Sequence, residues 1–183
     1  MGYGKALEKA WSDLRGLSQG GVSPVRFLAD EYTIDIDKKE AMSASCNVPA
    51  KEHVSILVLH YAIRKIKGLS QITGEWISFR QLGGGEGYYP VFKKRVIDRI
   101  ARKHGKNPES IFDATQRLGA KKAQVADISV VIEAFEGVPV LITLQRQDEE
   151  FAPEANVLFD SSIRETLCTE DIVVMSEFIA AQV

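Results

Sequence analysis

Apolar residues recur with two periods along this chain, and the alternation between those periods predicts its elements. Leu7, Ala10, Trp11 and Leu14 fall at helical spacing, so Lys5 to Leu17 reads as an amphipathic helix. Ser18-Gln19-Gly20-Gly21 breaks it. Ser23 and Pro24 read as the cap and first position of a short second helix, with Phe27 and Leu28 as its apolar anchors. From Glu31 to Asp37 the period changes to two, with Tyr32, Ile34 and Ile36 on one side of a strand. Asp37-Lys38-Lys39 can turn the chain into a second strand carrying Met42, Ala44 and Cys46, which makes a hairpin.

Pro49 opens the most apolar helix, which ends near Gly68. Val54, Leu57, Val58, Tyr61, Ala62 and Ile66 form its wide inner face, while His53, His60, Arg64 and Lys67 share a polar stripe. Glu75 to Phe79 reads as a short strand. A second helix, Tyr88 to His104, turns Phe92, Val96, Ile97 and Ile100 inward, and Gly105 reads as its C-cap. His104 suits the negative end of that helix dipole. Asn107-Pro108 starts a further helix that ends at Gly119. Val125–Phe135 and Val138–Leu144 are β-branched runs joined by Glu136-Gly137, a two-residue hairpin turn in which glycine accepts positive φ. QRQDEEFAPEANVLFD, residues 145–160, reads as a polar loop holding a short apolar patch. A helix over Ser161–Leu167 follows it. Thr169 then caps a last helix whose buried stripe is Ile172, Met175, Phe178 and Ile179.

Short turns cannot join parallel strands. The expected fold is therefore a single α+β domain, residues 1–183, in which about five or six helices cover a mostly antiparallel sheet of four to six strands. Residues 1–49 supply a helix and hairpin region, and residues 50–183 the core. The 45% apolar content supports a real core. A net charge of −2 argues against a general nucleic-acid binder. Its distribution is uneven. Residues 51–122 carry fifteen Lys or Arg against six Asp or Glu, a net of +9, and residues 123–183 carry two against twelve, a net of −10. The two regions can attract each other or face different partners. Without an apolar leader or a membrane-length run, the chain reads as soluble and cytoplasmic. Cys46 and Cys168 have no zinc or iron–sulfur spacing, and a disulfide between them stays open.

One stretch carries most of the candidate chemistry. A strand ends at Phe79, and Arg80 precedes a turn containing Gly83, Gly84, Gly85 and Gly87. Tyr88 follows, and Pro90 and Lys93 open the basic helix. Backbone N–H groups of such a turn can gather around an anion at a helix N-terminus. Arg80, Gly83, Gly84, Gly85, Gly87, Tyr88 and Lys93 are the candidate ligand-binding residues. The spacing matches neither GxxxxGK[ST] nor GxGxxG, and Glu86 places a negative charge in the turn. The second candidate is acidic. Asp148, Glu149, Glu150 and Asp160 could act as general acids and bases across a cleft from the basic helix, or Asp160 could cap the helix after it. His53 and His60 stand two helical turns apart, about 10 Å along the axis, which is long for sharing a metal. No metal site is expected, no cofactor is named, and no Ser-His-acid or Cys-His arrangement can be assembled from spacing alone. The leading reading is a non-enzymatic accessory or binding protein for an anionic small molecule or a protein partner; the alternative is an enzyme using the acidic carboxylates.

Two segments, TGEWISFRQLGGGEGYYPVFKKR and DEEFAPEANVLFDSSIRETLCTED, with the apolar helix ILVLHYAI before them, resemble the family known as the domain of unknown function numbered 3786. The resemblance covers roughly residues 50–175. It implies a protein of anaerobic bacteria and archaea, with no established activity and no site residues to transfer. Some relatives of that kind carry an added iron–sulfur domain with clustered cysteines, and this chain has no such cluster.

Overall fold

The computed structural model describes residues 3–18, 21–146 and 154–183. Five strands form the larger sheet: β5 (Trp76–Ser78), β6 (Lys121–Lys122), β7 (Ile128–Phe135), β8 (Val138–Gln145) and β9 (Glu154–Asp160). Their order is β5-β9-β8-β7-β6, with every pairing antiparallel. Four short strands form a meander: β1 (Val25–Phe27), β2 (Asp30–Asp35), β3 (Glu40–Ser43) and β4 (Val48–Pro49). The fold is thus α+β and antiparallel, as the two hairpins require, but its strands divide between two sheets. The meander is tied to the larger sheet where the Leu28 N–H donates to the Ala134 carbonyl at 2.8 Å.

Both predicted hairpins form. β7 and β8 turn at Glu136-Gly137, where Gly137 has φ +75°. β2 and β3 turn through Lys39 at φ +52°. Several elements differ from expectation. β3 ends at Ser43 and buries Ala41 and Ser43, while Ala44 and Cys46 lie beyond it and are exposed. Pro49 pairs with Met42 in β4, so the apolar helix starts only at Glu52, and its Ile66 is exposed. Val25 and Phe27 are buried on either side of exposed Arg26, so the segment after Pro24 is strand β1 and not a helix. The apolar patch near the end of the acidic segment is strand β9. Ala155, Val157 and Phe159 alternate into the core, and Val157 and Phe159 pair with Ile142 and Val140 of β8. The period of two is present in EANVLFD, but polar neighbours mask it.

Helix α1 (Gly4–Leu17) buries Ala10, Trp11 and Leu14 against α2 (Glu52–Lys67). α2 is buried on most of its circumference from Val54 to Ala62, because α1, the meander and the last helix all pack on it. Tyr61 of α2 and Phe27 of β1 both stack on Phe135 of β7, at 4.3 and 4.7 Å between ring centroids, and so join three elements. The basic helix begins earlier than predicted. It runs as α3 (Gly85–Phe92), a π-helical segment (Lys93–Ile97) and α4 (Asp98–His104), so Pro90 lies inside it and not at its first turn. Proline cannot donate to the carbonyl four residues back, and the wider π turn follows directly. Gly105 keeps a right-handed φ of −58°. The His104 ring is buried against Ser110, 2.7 Å from Nδ1 to Oγ, and burial pushes its pKa down, so it does not serve the helix dipole as a cation. Further along lie α5 (Ser110–Gln116), α6 (Ile163–Thr166) and α7 (Thr169–Gln182). Among the described residues no helix is long and apolar enough to cross a membrane.

Candidate functional site

The glycine turn is built by close approach. After β5 the chain makes a 3-10 turn, Phe79–Gln81, capped reciprocally by Ser78 and Gln81. Gly84 then takes φ +73°, and Gly85 passes so close to the turn that a Cβ would lie 2.0 Å from the Phe79 carbonyl oxygen. Only glycine fits there. The stack of Phe79 on Phe92, 4.0 Å between centroids, locks the turn to the helix it enters. From the other side the Thr169 hydroxyl donates to the Gly83 carbonyl at 2.8 Å. Thr169 was expected to cap α7; Cys168 holds the N-cap position instead, and the threonine hydroxyl anchors the glycine turn.

Between this turn and α7 lies a cavity of about 400 Å³. Gly83, Gly84 and Tyr88 line it from one side, with Thr169, Glu170 and Val173 on the other. Arg95 and Glu177 also line it and form an ion pair at 3.1 Å. Three of the seven candidate ligand-binding residues therefore meet at one cavity. The other four lie outside its lining. The Arg80 guanidinium stacks over the Tyr89 ring at 4.0 Å and stands 3.5 Å from Glu86. Lys93 pairs with Asp98. Gly85 is buried against Phe79, and Gly87 faces open space. The two cations expected to balance an anion are thus engaged with neighbouring acids.

The acidic candidates separate as well. Asp148, Glu149 and Glu150 lie outside the described residues. Asp160 is 1% exposed, at the end of β9. One carboxylate oxygen accepts from the Thr73 N–H, the Thr73 hydroxyl and the Ser162 N–H, each at 3.0 Å. The other accepts from the Gly74 N–H at 2.7 Å. Burial alone would raise this carboxyl, but the bonds from Ser162, Thr73 and Gly74 outweigh it and hold the pKa at about 2. Asp160 clasps the loop before β5 to the turn that enters α6. That is an extension of the capping role, and its oxygens are committed.

A second cluster was not assembled from the sequence. His60 on α2, Cys168 at the N-cap of α7 and Asp171 in its first turn bring ligand atoms within 4.8 Å of one another. His60 Nδ1 lies 2.8 Å from Asp171 Oδ2, and the Cys168 thiol donates to the same oxygen at 3.1 Å. The hydrogen bond to Asp171 raises the His60 pKa against the opposing effect of burial. Burial, with the Asp171 charge, pushes the Cys168 thiol up to about 12. A thiol so disposed is a poor nucleophile, since the thiolate is the reactive form. The aspartate, not the thiol, holds the imidazole. His53, expected to share a solvated stripe with His60, packs its ring beside Tyr3 and Phe178 instead. Cys46 and Cys168 are both free. Cys168 and Asp171 straddle a helix start three positions apart, a visible signal, but His60 lies 111 positions from Asp171 and only the α2–α7 contact unites them.

These features define an antiparallel α+β domain with a small cavity at a glycine turn and a His-Cys-Asp cluster at the start of the last helix. The chain belongs to the family described as Domain of unknown function (DUF3786), whose model matches residues 7–182. The match includes most of α1 and the meander, beyond the segments that carried the resemblance. Comparison with curated proteins found no match, and comparison with solved structures found none.

Proposed function

We propose that the protein is a non-enzymatic binding or accessory protein whose small-molecule ligand sits in the cavity between the glycine turn and α7. The observation that carries this reading is the convergence of Gly83, Gly84 and Tyr88 with Thr169, Glu170 and Val173 on one concavity of about 400 Å³. That volume falls within the usual range for small-ligand pockets, which are largely apolar with a few placed polar groups. The charge of the lining changes the ligand first expected. Arg95 is already paired with Glu177, and Glu170 adds a second carboxylate. A molecule with an apolar body and one donor or cationic end fits this lining better than an anion. The two free thiols support a reducing, cytoplasmic setting.

The test is native mass spectrometry of the protein as purified, followed by amide NMR against a fragment library containing anionic, neutral and cationic members. Binding at this cavity moves the Gly83, Gly84, Thr169 and Glu170 amides. A Cβ at Gly83 meets nothing within 4 Å, so Gly83→Leu is expected to fold and to weaken those shifts. Arg80→Ala, outside the cavity, leaves them unchanged. Fragment shifts that cluster elsewhere, or survive Gly83→Leu at full size, overturn the reading.

A further inference from the structure

We propose that His60, Cys168 and Asp171 form a binding site for a first-row transition-metal dication of the zinc class, independent of the ligand cavity. The three side chains supply the donor set that such ions prefer: an imidazole nitrogen, a thiolate sulfur and a carboxylate oxygen. Calcium and magnesium favour all-oxygen sites, so the sulfur and nitrogen select against them.

The geometry needs little rearrangement. Metal–ligand bonds of about 2.0–2.3 Å in a tetrahedral site place neighbouring donor atoms roughly 3.3–3.8 Å apart. The Nδ1–Oδ2 and Sγ–Oδ2 separations of 2.8 and 3.1 Å are hydrogen-bond lengths, and each must open by only about half an ångström. All three donor atoms already fall within 4.8 Å. The Cys168 thiol donates to Asp171 Oδ2, and His60 Nδ1 lies against the same oxygen. A dication displaces the hydrogen on sulfur to solvent and takes its place among the nitrogen, the sulfur and that oxygen, with any Nδ1 proton passing to Nε2 or to solvent.

Rigidity and access are divided between the ligands. The Asp171 side chain is 6% exposed, in the first turn of α7, and the His60 side chain is 35% exposed. Cys168 is exposed. A buried anchor with two accessible ligands gives an ion an entry path, and three protein ligands leave a fourth position for water or another group. The Cys168 proton must be displaced, as metal binding to thiols always requires.

Cobalt(II) is the probe, because tetrahedral thiolate coordination gives both visible d–d bands and a near-ultraviolet sulfur-to-metal charge-transfer band. The full chain, stripped with a chelator and verified as folded by circular dichroism, is titrated with Co²⁺ and then with Zn²⁺. One equivalent of Co²⁺ is expected to produce both bands, and Zn²⁺ to abolish them, with excess Mg²⁺ without effect. Cys168→Ser, at an exposed position that leaves folding intact, removes the charge-transfer band. His60→Gln and Asp171→Asn weaken binding by more than the roughly 10–100-fold that loss of a mere outer-sphere partner costs. Cys46→Ser changes nothing. The proposal is overturned if the wild-type protein gives no charge-transfer band, if Cys168→Ser retains it, or if Cys46→Ser removes it. Loss of the fragment shifts at the ligand cavity would leave this result untouched, so the two proposals fail separately.

Discussion

Replacing Asp160 with asparagine tests the clasp that holds the loop before β5 to the turn entering α6. The carboxylate accepts four hydrogen bonds, three on one oxygen and one from Gly74 on the other. Asparagine keeps one acceptor oxygen but replaces the other with an NH₂, which donates and so cannot accept from a backbone N–H. The magnitude follows from the titration. A shift from 3.8 to about 2 corresponds to about 2 kcal/mol of stability, at 1.36 kcal/mol per pKa unit. The folded pKa is the lower one, so this stability is fully present above the unfolded value of 3.8 and is lost as pH falls from there through about 2. Asp160→Asn is therefore expected to cost about 2–3 kcal/mol at pH 7. That difference should shrink to less than about 1 kcal/mol near pH 2, where wild-type Asp160 is itself half protonated. Urea unfolding reports it conveniently, because Trp76 pairs directly with Asp160 across β5 and β9 and its fluorescence senses the clasp. A variant within about 0.5 kcal/mol of wild type at pH 7, the range of an ordinary surface change, would refute the assignment. So would a difference that stays constant from pH 7 to pH 2.

Two glycines of the turn should behave oppositely. Gly85→Ala drives a Cβ to 2.0 Å from the Phe79 carbonyl oxygen, a backbone atom that cannot swing away, and should destabilise by about 3 kcal/mol in chemical denaturation. Gly87→Ala meets nothing within 4 Å inside α3 and should stabilise by about 0.5–1 kcal/mol. Phe159→Ala should cost about 3–5 kcal/mol, because the residue is fully buried on β9 against Phe92, whereas a side chain in a polar loop would cost almost nothing.

Local pattern alone determined much of this protein. The 3.6-residue period marked α1, α2, the basic helix and α7, the period of two marked β2, and β-branched runs with Glu136-Gly137 between them marked the β7–β8 hairpin. Those signals are legible because each is carried by the element's own residues and its neighbours in sequence supply the turn. Strands β1 and β9 were hidden for a different reason. Each is stabilised by partners distant in sequence, β1 by β2 and the Ala134 carbonyl, β9 by β5 and β8, so its own residues need only a few alternating apolar positions. The glycine turn was visible as a turn, but its chemistry was decided elsewhere. α7 supplies Thr169, Glu170 and Glu177 opposite it, and that long-range packing gives the cavity its charge. Asp160 reads in sequence as one more acid in an acidic stretch; enclosure by Thr73, Gly74 and Ser162 makes it a structural anion. His60, Cys168 and Asp171 show the same division most clearly. Sequence supplies three ordinary residues on two helices, and only the packing of α7 against α2 brings three donor atoms within reach of one ion.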